Sequence, residues 1–258
     1  MFLVDSHCHI DKINAKKIGK NISEIIEKAK KNQVQYFLCV CTEIKNFHSM
    51  TKILKNYKNV FFSCGQHPLY LKNSYDFDLF MQFSKEKKVI AIGETGLDFL
   101  KDNNKKVQEN SFIEHIDVAK KIKKPIIVHS RYAKKRTIEI LKDNQVDKCG
   151  GILHCFSEDK KMAKDLLDMG FYISFSGIIT FKKNRKIEEV VKYIPKDRIL
   201  IETDSPFLSP NPVRKEENQP ANVRYIAKKI SEIRDDDIKD VYYYTSNNFF
   251  SLFNMKFP

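Results

Sequence analysis

Eight short apolar runs, each followed by a longer polar segment, are the feature of this sequence that most restricts its fold. The runs lie at residues 2–4, 36–41, 60–65, 89–94, 125–130, 150–156, 171–177 and 198–204. Continuously apolar strands are typical of a parallel sheet that is buried on both faces. Strands that alternate with helices in this way predict repeated βαβ units.

The polar segments carry helical periodicity. Apolar residues recur at the spacing of one helix face in Ile22, Ile25, Ile26 and Ala29, and again in Phe112, His115, Ile116, Ala119 and Ile122. Eight βα units in 258 residues predict the α/β class and a TIM-type (β/α)8 barrel. A doubly wound sheet is the alternative, but no GxGxxG motif follows the first run. Residues 219–253 predict additional C-terminal helices, and no linker divides the chain, so we expect a single domain over residues 1–258.

Composition places the chain among ordinary globular proteins. Its hydrophobic content is 42% and its charged content 31%. No apolar run approaches the ~18 residues of a membrane helix, and the first residues lack the pattern of a signal peptide, so we expect a cytoplasmic protein. The six cysteines form no CxxC pair and fall mostly in apolar runs, as expected of reduced thiols.

The formal net charge of +13 has two explanations. A basic surface is expected of a protein that binds nucleic acid. However, only seven of the 46 basic residues are Arg, and the chain is also rich in Asn, Ile, Phe and Tyr. All these favoured residues have A/T-rich codons, so biased nucleotide composition also accounts for the charge. The charge alone therefore does not decide the function.

Side chains that bind metals lie at the carboxyl ends of the predicted strands, where barrel enzymes carry their active sites. They are His7, His9, Glu94, His129, His154 and Asp204, with His67 just beyond the third run. Each residue alone is readily explained as a structural histidine or a helix cap, but their joint selection of one rim indicates a metal site. By contrast, we assign His48 and His115, which fall in helical segments, to surface or packing roles.

Imidazoles mixed with carboxylates, without thiolates, suit Zn²⁺, Mn²⁺ and related ions, and less naturally Mg²⁺. Six candidate ligands exceed what one catalytic zinc uses. Two divalent ions per chain, bridged by Glu94, accommodate all six and leave positions for substrate. The identity of the metal, whether Mg, Mn or Zn, stays open.

Seven segments in chain order resemble the signatures of the TatD family of metal-dependent hydrolases, a branch of the amidohydrolase-like barrels. They are DSHCHID (5–11), GQHP (65–68), GETGLDF (93–99), PIIVHSR (125–131), LHCFS (153–157), ISFSGIITFK (173–182) and ETDSPFLSP (202–210). The resemblance implies a TIM-type barrel and metal-dependent hydrolysis, commonly of DNA, with 3′-to-5′ exonuclease activity in members. It also implies that His7, His9, Glu94 and Asp204 hold one ion, and that Glu94, His129 and His154 hold the other.

The same resemblance makes Asp204 the catalytic proton acceptor and Glu94 the catalytic bridge between the ions. Arg131 follows His129 by two residues, and its planar guanidinium suits a phosphate oxygen. His67 either contacts the substrate or braces its own loop. We therefore expect substrate contacts from Arg131, His67 and Arg214, and orientation of the metal ligands by Asp98, Thr203 and Ser205.

Two positions depart from the family pattern. Where a basic RGKRNxP-type loop is common, this chain has Glu216 and Glu217 between Arg214 and Asn218, so we expect weakened or redirected phosphate affinity if the loop contacts phosphate. Glu158 also replaces a glycine of the HCFSG motif. Neither departure affects a predicted ligand.

Three functions remain open at this point. The favoured one is a deoxyribonuclease that cleaves phosphodiester bonds of DNA or another nucleic acid with a metal-activated water. A metal-dependent esterase of the D-aminoacyl-tRNA deacylase type is the alternative, because such activity is also associated with the family. A non-catalytic nucleic-acid-binding barrel is disfavoured by the surplus of ligands at strand ends. The sequence does not determine the oligomeric state.

Overall fold

The computed structural model describes residues 1–14, 17, 20–71, 75–100, 104–181 and 185–258. Its strands are β1 Leu3–Cys8, β2 Val34–Cys39, β3 Val60–Cys64, β4 Val89–Asp98, β5 Ile126–Arg131, β6 Gly151–Leu153, β7 Tyr172–Phe175 and β8 Ile199–Ile201. Its helices are α1 Ile22–Lys31, α2 Phe47–Leu54, α3 Phe77–Ser84, α4 Lys105–Ile122, α5 Lys134–Asp143, α6 Lys160–Asp168, α7 Arg185–Tyr193, α8 Val223–Arg234 and α9 Ile238–Leu252. Within the described ranges, no helix has the length and apolar character needed to cross a membrane.

The strands form one eight-stranded sheet in chain order from β1 to β8, and the pairs β1–β2, β3–β4, β4–β5, β5–β6 and β7–β8 are parallel. Parallel strands that alternate with helices in this order make the TIM-type (β/α)8 barrel that the sequence predicts. Helices α8 and α9 follow β8, which confirms the additional C-terminal helices.

Strand β4 is longer than the sequence predicts. The apolar run ends at Glu94, but the strand continues to Asp98 because residues 95–98 pair with β5, as in Gly96 opposite His129. Gly96 has a φ of +132°, and a Cβ at this position would lie 2.1 Å from the carbonyl oxygen of His129. Only glycine permits this approach. Glu94 therefore lies inside a strand and not at its end, which corrects the prediction.

The chain divides into two compact units. The first comprises Met1–Cys39, Cys155–Ala163 and Ile173–Pro258, and the second comprises Val40–His154 and Lys164–Tyr172. The prediction of a single domain over residues 1–258 stays a prediction.

Each unit has its own apolar interior. In the first unit, α1 begins after Asn21, whose side chain forms a capping box with Glu24, and the helix buries Ile25, Ile26 and Ala29. In the second unit, the large α4 buries one apolar face, as its periodicity predicts, and the fully buried phenylalanines are Phe47, Phe62, Phe80, Phe112 and Phe171. Each such ring contributes about 1.5–3 kcal/mol by its removal from water.

Candidate metal centres

The first unit brings together His7, His9 and Asp204, which we call the first cluster. The Nε2 atoms of His7 and His9 are 3.3 Å apart. The Oδ1 atom of Asp204 lies 3.6 Å from the Nε2 of His7 and 3.4 Å from the Nε2 of His9. All three side chains are almost fully buried.

Backbone hydrogen bonds hold the two chain segments of the first cluster in register. The Asp204 N–H donates to the His7 carbonyl at 2.9 Å, and the His9 N–H donates to the Ser205 carbonyl at 2.7 Å. Asp204 has a φ of +54°, a left-handed conformation that aspartate tolerates better than most residues. Two backbone hydrogen bonds therefore connect the end of β1 to the segment after β8, one at His7 and one at His9.

Asp5, to which the sequence interpretation assigned no role, lies beneath the first cluster. Its fully buried carboxylate accepts hydrogen bonds from the Thr203 N–H at 2.8 Å and the Thr203 hydroxyl at 2.6 Å. Burial raises the pKa of Asp5 well above its ordinary value, although the Thr203 hydrogen bonds oppose this shift. Thr203 thus fixes the segment that carries Asp204 through Asp5, and its Oγ1 also accepts from the Ser205 N–H at 3.1 Å.

The second unit brings together Glu94, His67, His129 and His154, which we call the second cluster. The Oε1 atom of Glu94 lies 2.8 Å from the Nε2 of His154, 3.2 Å from the Nδ1 of His129 and 3.3 Å from the Nε2 of His67. Burial would raise the pKa of Glu94, but the imidazoles of His154 and His67, with hydrogen bonds from His129 and His154, hold it well below its ordinary value. Glu94 is therefore a carboxylate at neutral pH.

Asp98 contacts the ring nitrogen of His129 that does not face Glu94. Its Oδ2 atom lies 3.2 Å from the Nε2 of His129, so the Nδ1 of the same ring faces Glu94. Burial would lower the pKa of His129, but hydrogen bonds to Asp98 and Glu94 raise it above its ordinary value. The Leu100 N–H donates to the Oδ1 of Asp98 at 3.1 Å and fixes this carboxylate in turn. An imidazole that donates its Nε2–H to Asp98 keeps its Nδ1 lone pair for a metal.

His67 faces Glu94 with a hydrogen-bond donor instead of a lone pair. The Leu69 N–H donates to the Nδ1 of His67 at 3.1 Å, so in the neutral ring the proton resides on Nε2, which faces Glu94. Burial lowers the pKa of His67, partly offset by Glu94, and so favours this neutral form. His67 therefore offers a hydrogen-bond donor, not a lone pair, to the second cluster.

The donor atoms of both clusters fit a divalent cation. Two ligand atoms that lie about 2.1 Å from one ion at a tetrahedral angle are about 3.4 Å apart. The donor separations within the first cluster are 3.3, 3.6 and 3.4 Å. In the second cluster, the Nδ1 of His129 and the Nε2 of His154 are 3.4 Å apart, and the Oε1 of Glu94 lies 3.2 and 2.8 Å from them. Imidazoles and carboxylates at these separations are a donor set that suits such ions.

The remaining predicted site residues lie in different surroundings. Arg131 ends β5 two residues after His129 and is exposed. Arg214 is also exposed, and its guanidinium carbon lies 3.7 Å from the ring centroid of Phe181. Ser205 contributes its backbone carbonyl to His9, while its buried hydroxyl has no hydrogen-bond partner among the described residues.

The two histidines assigned to helical segments differ from each other. His48 is exposed, whereas His115 on α4 is fully buried. The Gln66 N–H donates to the Nε2 of His115 at 3.0 Å, and the Nδ1 of His115 lies 2.7 Å from the Ser111 carbonyl. His115 therefore supports the segment that carries His67. Its position on an apolar helix face indicated packing but not this contact.

Glu202 is a further residue that the sequence interpretation missed. Its carboxylate is fully buried, and its Oε1 atom accepts a hydrogen bond from the Cys155 N–H at 2.8 Å. Cys155 directly follows His154 and has a φ of +48°. The ETD segment could have indicated this contact. Its glutamate directly follows a buried strand, and an acidic residue in such a place needs a buried partner.

Glu217, expected to weaken phosphate affinity, has partners of its own. The Asn14 N–H donates to its Oε1 at 2.6 Å, and the Nζ of Lys17 lies 3.4 Å from its Oε2. Its side chain is only 9% exposed, whereas Glu216 is exposed. The charge of Glu217 is therefore offset within the protein.

Comparisons with known proteins identify the family of this chain. Residues 4–254 match the family described as TatD related DNase. The chain belongs to the TatD family. It is 47% identical, over 99% of its length and 100% of the relative's, to an uncharacterized metal-dependent hydrolase of Buchnera aphidicola from Acyrthosiphon pisum. It is 42% identical, over 99% of its length and 97% of the relative's, to the uncharacterized metal-dependent hydrolase YcfH of Escherichia coli.

Solved structures of the TatD family share the fold. The TatD homologue YjjV of Escherichia coli matches with a TM-score of 0.89 and 25% identity, and the match covers 98% of each chain. The chain is thus a metal-dependent hydrolase of the TatD family, and its His, Asp and Glu clusters are candidate metal sites.

Proposed function

We propose that this TatD-family hydrolase is a deoxyribonuclease that cleaves phosphodiester bonds with divalent cations. The observation that carries the proposal is the pair of His–carboxylate clusters, whose donor separations match those around a single ion. The family description as a DNase and the net charge of +13 support a polyanionic substrate.

The metal ligands follow from the two clusters. His7, His9 and Asp204 would hold one ion, and Glu94, His129 and His154 would hold a second. Glu94 would also bridge the two ions. Bound divalent cations would lower the pKa of water and neutralise charge on the phosphoryl oxygens. Mg²⁺, Mn²⁺ and Zn²⁺ are the candidate ions.

The protein's own side chains supply the remaining chemistry. Asp204 accepts the proton of the attacking water at its carboxylate, and the left-handed backbone at this residue aims that carboxylate at the two imidazoles of the first cluster. His67 donates its Nε2–H to a phosphate or leaving-group oxygen. Arg131 binds a non-bridging oxygen with its planar guanidinium.

We also propose that the enzyme works in the cytoplasm. All six cysteines are free thiols, and four of them are buried. A reducing compartment maintains cysteines in this state.

The experiment is a metal analysis of the purified protein together with a substrate panel of DNA, RNA and aminoacyl-tRNA. We expect DNA cleavage that requires Mg²⁺ or Mn²⁺ and is lost in Asp204→Asn and His129→Ala, by at least a hundredfold. The exposed residues His48 and Asp117 provide controls: His48→Ala and Asp117→Asn retain activity. Cleavage of aminoacyl-tRNA but not DNA would favour the esterase, and chelator-resistant cleavage by the site variants would exclude the mechanism.

A further inference from the structure

Phe207 is a large apolar side chain that the protein holds in solvent beside the first cluster. Its side chain is 52% exposed, and its ring centroid lies 6.0 Å from that of His9. It follows Asp204 by three residues. Single exposed phenylalanines are common on proteins. The position beside a candidate metal ligand and the rigidity of its backbone distinguish this one.

Hydrogen bonds fix the backbone of Phe207 on both sides. Its N–H donates to the Asp204 carbonyl at 2.9 Å. The fully buried side chain of Asn218 donates to the Phe207 carbonyl at 2.6 Å and to the Thr203 carbonyl at 2.8 Å. The backbone that carries the exposed ring is therefore held on both sides.

The same loop rests directly on the turn that follows β7. A Cβ added at Gly177 would lie 2.0 Å from the Leu208 carbonyl oxygen, so only glycine allows this contact. The Asn211 N–H donates to the Thr180 hydroxyl at 2.9 Å, and the Asn211 side chain donates to the Thr180 carbonyl at 2.6 Å. Residues 205–218 thus form a firmly supported surface loop.

Arg214 on this loop lies over an aromatic ring of that turn. Its guanidinium carbon lies 3.7 Å from the centroid of Phe181, and one Nη1–H reaches the Ser209 carbonyl at 3.4 Å. A guanidinium has five N–H donors, so donor capacity remains beyond this hydrogen bond. Stacked arginines of this kind bind phosphate with little loss of side-chain entropy.

We propose that residues 205–218 form a subsite for an unpaired nucleotide at a strand end, in which Phe207 stacks on the base and Arg214 binds an adjacent phosphate. The inference rests on the proposed function for the identity of the bound strand. A base inside a duplex has both faces covered by its neighbours, whereas an unpaired terminal base has one face exposed, on which an aromatic ring can stack. Stacking is indifferent to base identity, so the subsite selects strand ends and not sequences.

The test uses matched single-stranded oligonucleotides whose terminal nucleotide, at either end, carries 2-aminopurine or is abasic. For the wild type with Mn²⁺, removal of the base lowers kcat/KM about tenfold, mainly through KM, because the stacking contact with the base is lost. Phe207→Ala should cleave the two substrates with the same kcat/KM, whereas Phe207→Trp should keep the tenfold difference between them. Tyr243→Ala removes an aromatic ring of similar exposure, 53%, on α9 and also preserves it.

Quenching of 2-aminopurine fluorescence gives a second readout that does not require turnover. Stacking on Phe207 quenches the wild-type complex, and Phe207→Ala loses this quenching. A tenfold base effect that persists in Phe207→Ala, or equal quenching in both proteins, overturns the inference. If the wild type cleaves no oligonucleotide, the proposed function fails, and the quenching comparison still decides whether Phe207 stacks on a base.

The salt dependence of KM tests the role of Arg214 separately. Arg214→Gln reduces the slope of log KM against log salt concentration by about one, as expected for the loss of one phosphate contact. An unchanged slope overturns the role of Arg214.

Discussion

Thr203 donates its hydroxyl hydrogen to Asp5 across 2.6 Å, and so joins residues that are 198 positions apart in the chain. Asp5 lies in β1, two residues before His7, and Thr203 directly precedes Asp204. The contact therefore fixes the relative position of two segments that supply the first cluster. Asp5 also accepts a hydrogen bond from the His7 N–H at 3.4 Å, so the contact acts on the backbone of both segments.

Thr203→Val tests this contact because valine has nearly the same shape but no hydroxyl. We expect a loss of about 1–3 kcal/mol in the free energy of unfolding, since a buried carboxylate oxygen loses its nearest donor. Urea denaturation measures the loss, and Mn²⁺ titration should show weaker binding. Thr203→Ser, which keeps the hydroxyl, is the control. Equal stability of the two variants would contradict the role of Asp5.

Asp98→Ala should weaken metal binding at the second cluster without a large change in stability. The ring of His129 loses the acceptor for its Nε2–H, so its Nδ1 lone pair is no longer held toward Glu94. Loss of such an orienting carboxylate typically lowers metal affinity about 10- to 100-fold. Electron paramagnetic resonance of free Mn²⁺ during a titration measures the change. Asp117→Ala removes an exposed carboxylate of α4 for comparison, and an affinity no lower than that of this control would exclude the assigned role.

His115 should make the protein less stable in acid. Burial lowers its pKa from 6.5 to about 4, so the unfolded chain takes up this proton at a higher pH than the folded protein does. The unfolded state binds more protons between these values, and stability therefore falls as the pH decreases from about 6.5 to about 4. The shift corresponds to about 3 kcal/mol.

Urea unfolding at a series of pH values separates this contribution from that of other groups. His115→Gln keeps an acceptor for the Gln66 N–H but cannot titrate, so its stability should depend less on pH in this interval. His48→Gln, at an exposed histidine, should follow the wild type. The same slope for all three proteins would refute the assignment.

Glu217→Gln and Glu216→Gln form a matched pair of neighbouring substitutions. Glu217 accepts from the Asn14 N–H and lies near Lys17, whereas Glu216 is exposed. We expect Glu217→Gln to cost about 1–2 kcal/mol in the free energy of unfolding, and Glu216→Gln to change it by less than 0.5 kcal/mol. Urea denaturation of both variants measures this, and a larger loss for Glu216→Gln would contradict the contact.

The sequence predicts the strands well because each is a continuous apolar run bounded by polar residues. The fold class follows from their number and alternation. The end of β4 was predicted at Glu94 because GETGLD is polar and contains two glycines, which usually indicate a turn. In the structure, those glycines instead permit close approach of β5, as the 2.1 Å clearance at Gly96 shows.

The residues that hydrogen-bond to the cluster side chains, or to the segments that carry them, are harder to predict because their partners are distant in sequence. The sequence predicts that Asp98 orients a metal ligand, because ligand histidines donate their other N–H to a partner, and in the structure Asp98 lies 3.2 Å from His129; its role stays a prediction. Asp5 and Glu202 were missed because periodicity gives the face of a strand on which a side chain lies, not the neighbour that it meets. The tautomer of His67 depends on a single backbone N–H two residues later, which no pattern of residue types encodes.

That backbone N–H has a chemical consequence. Because the main chain at Leu69 occupies one nitrogen of His67, the proton sits on the other before any ligand arrives, while Asp98 imposes the reverse polarity on His129. Two neighbouring rings of identical composition thus face the same oxygen of Glu94 with different chemistry, His67 with an N–H and His129 with a lone pair. The second cluster can therefore offer a lone pair to a cation and a hydrogen bond to an anionic oxygen.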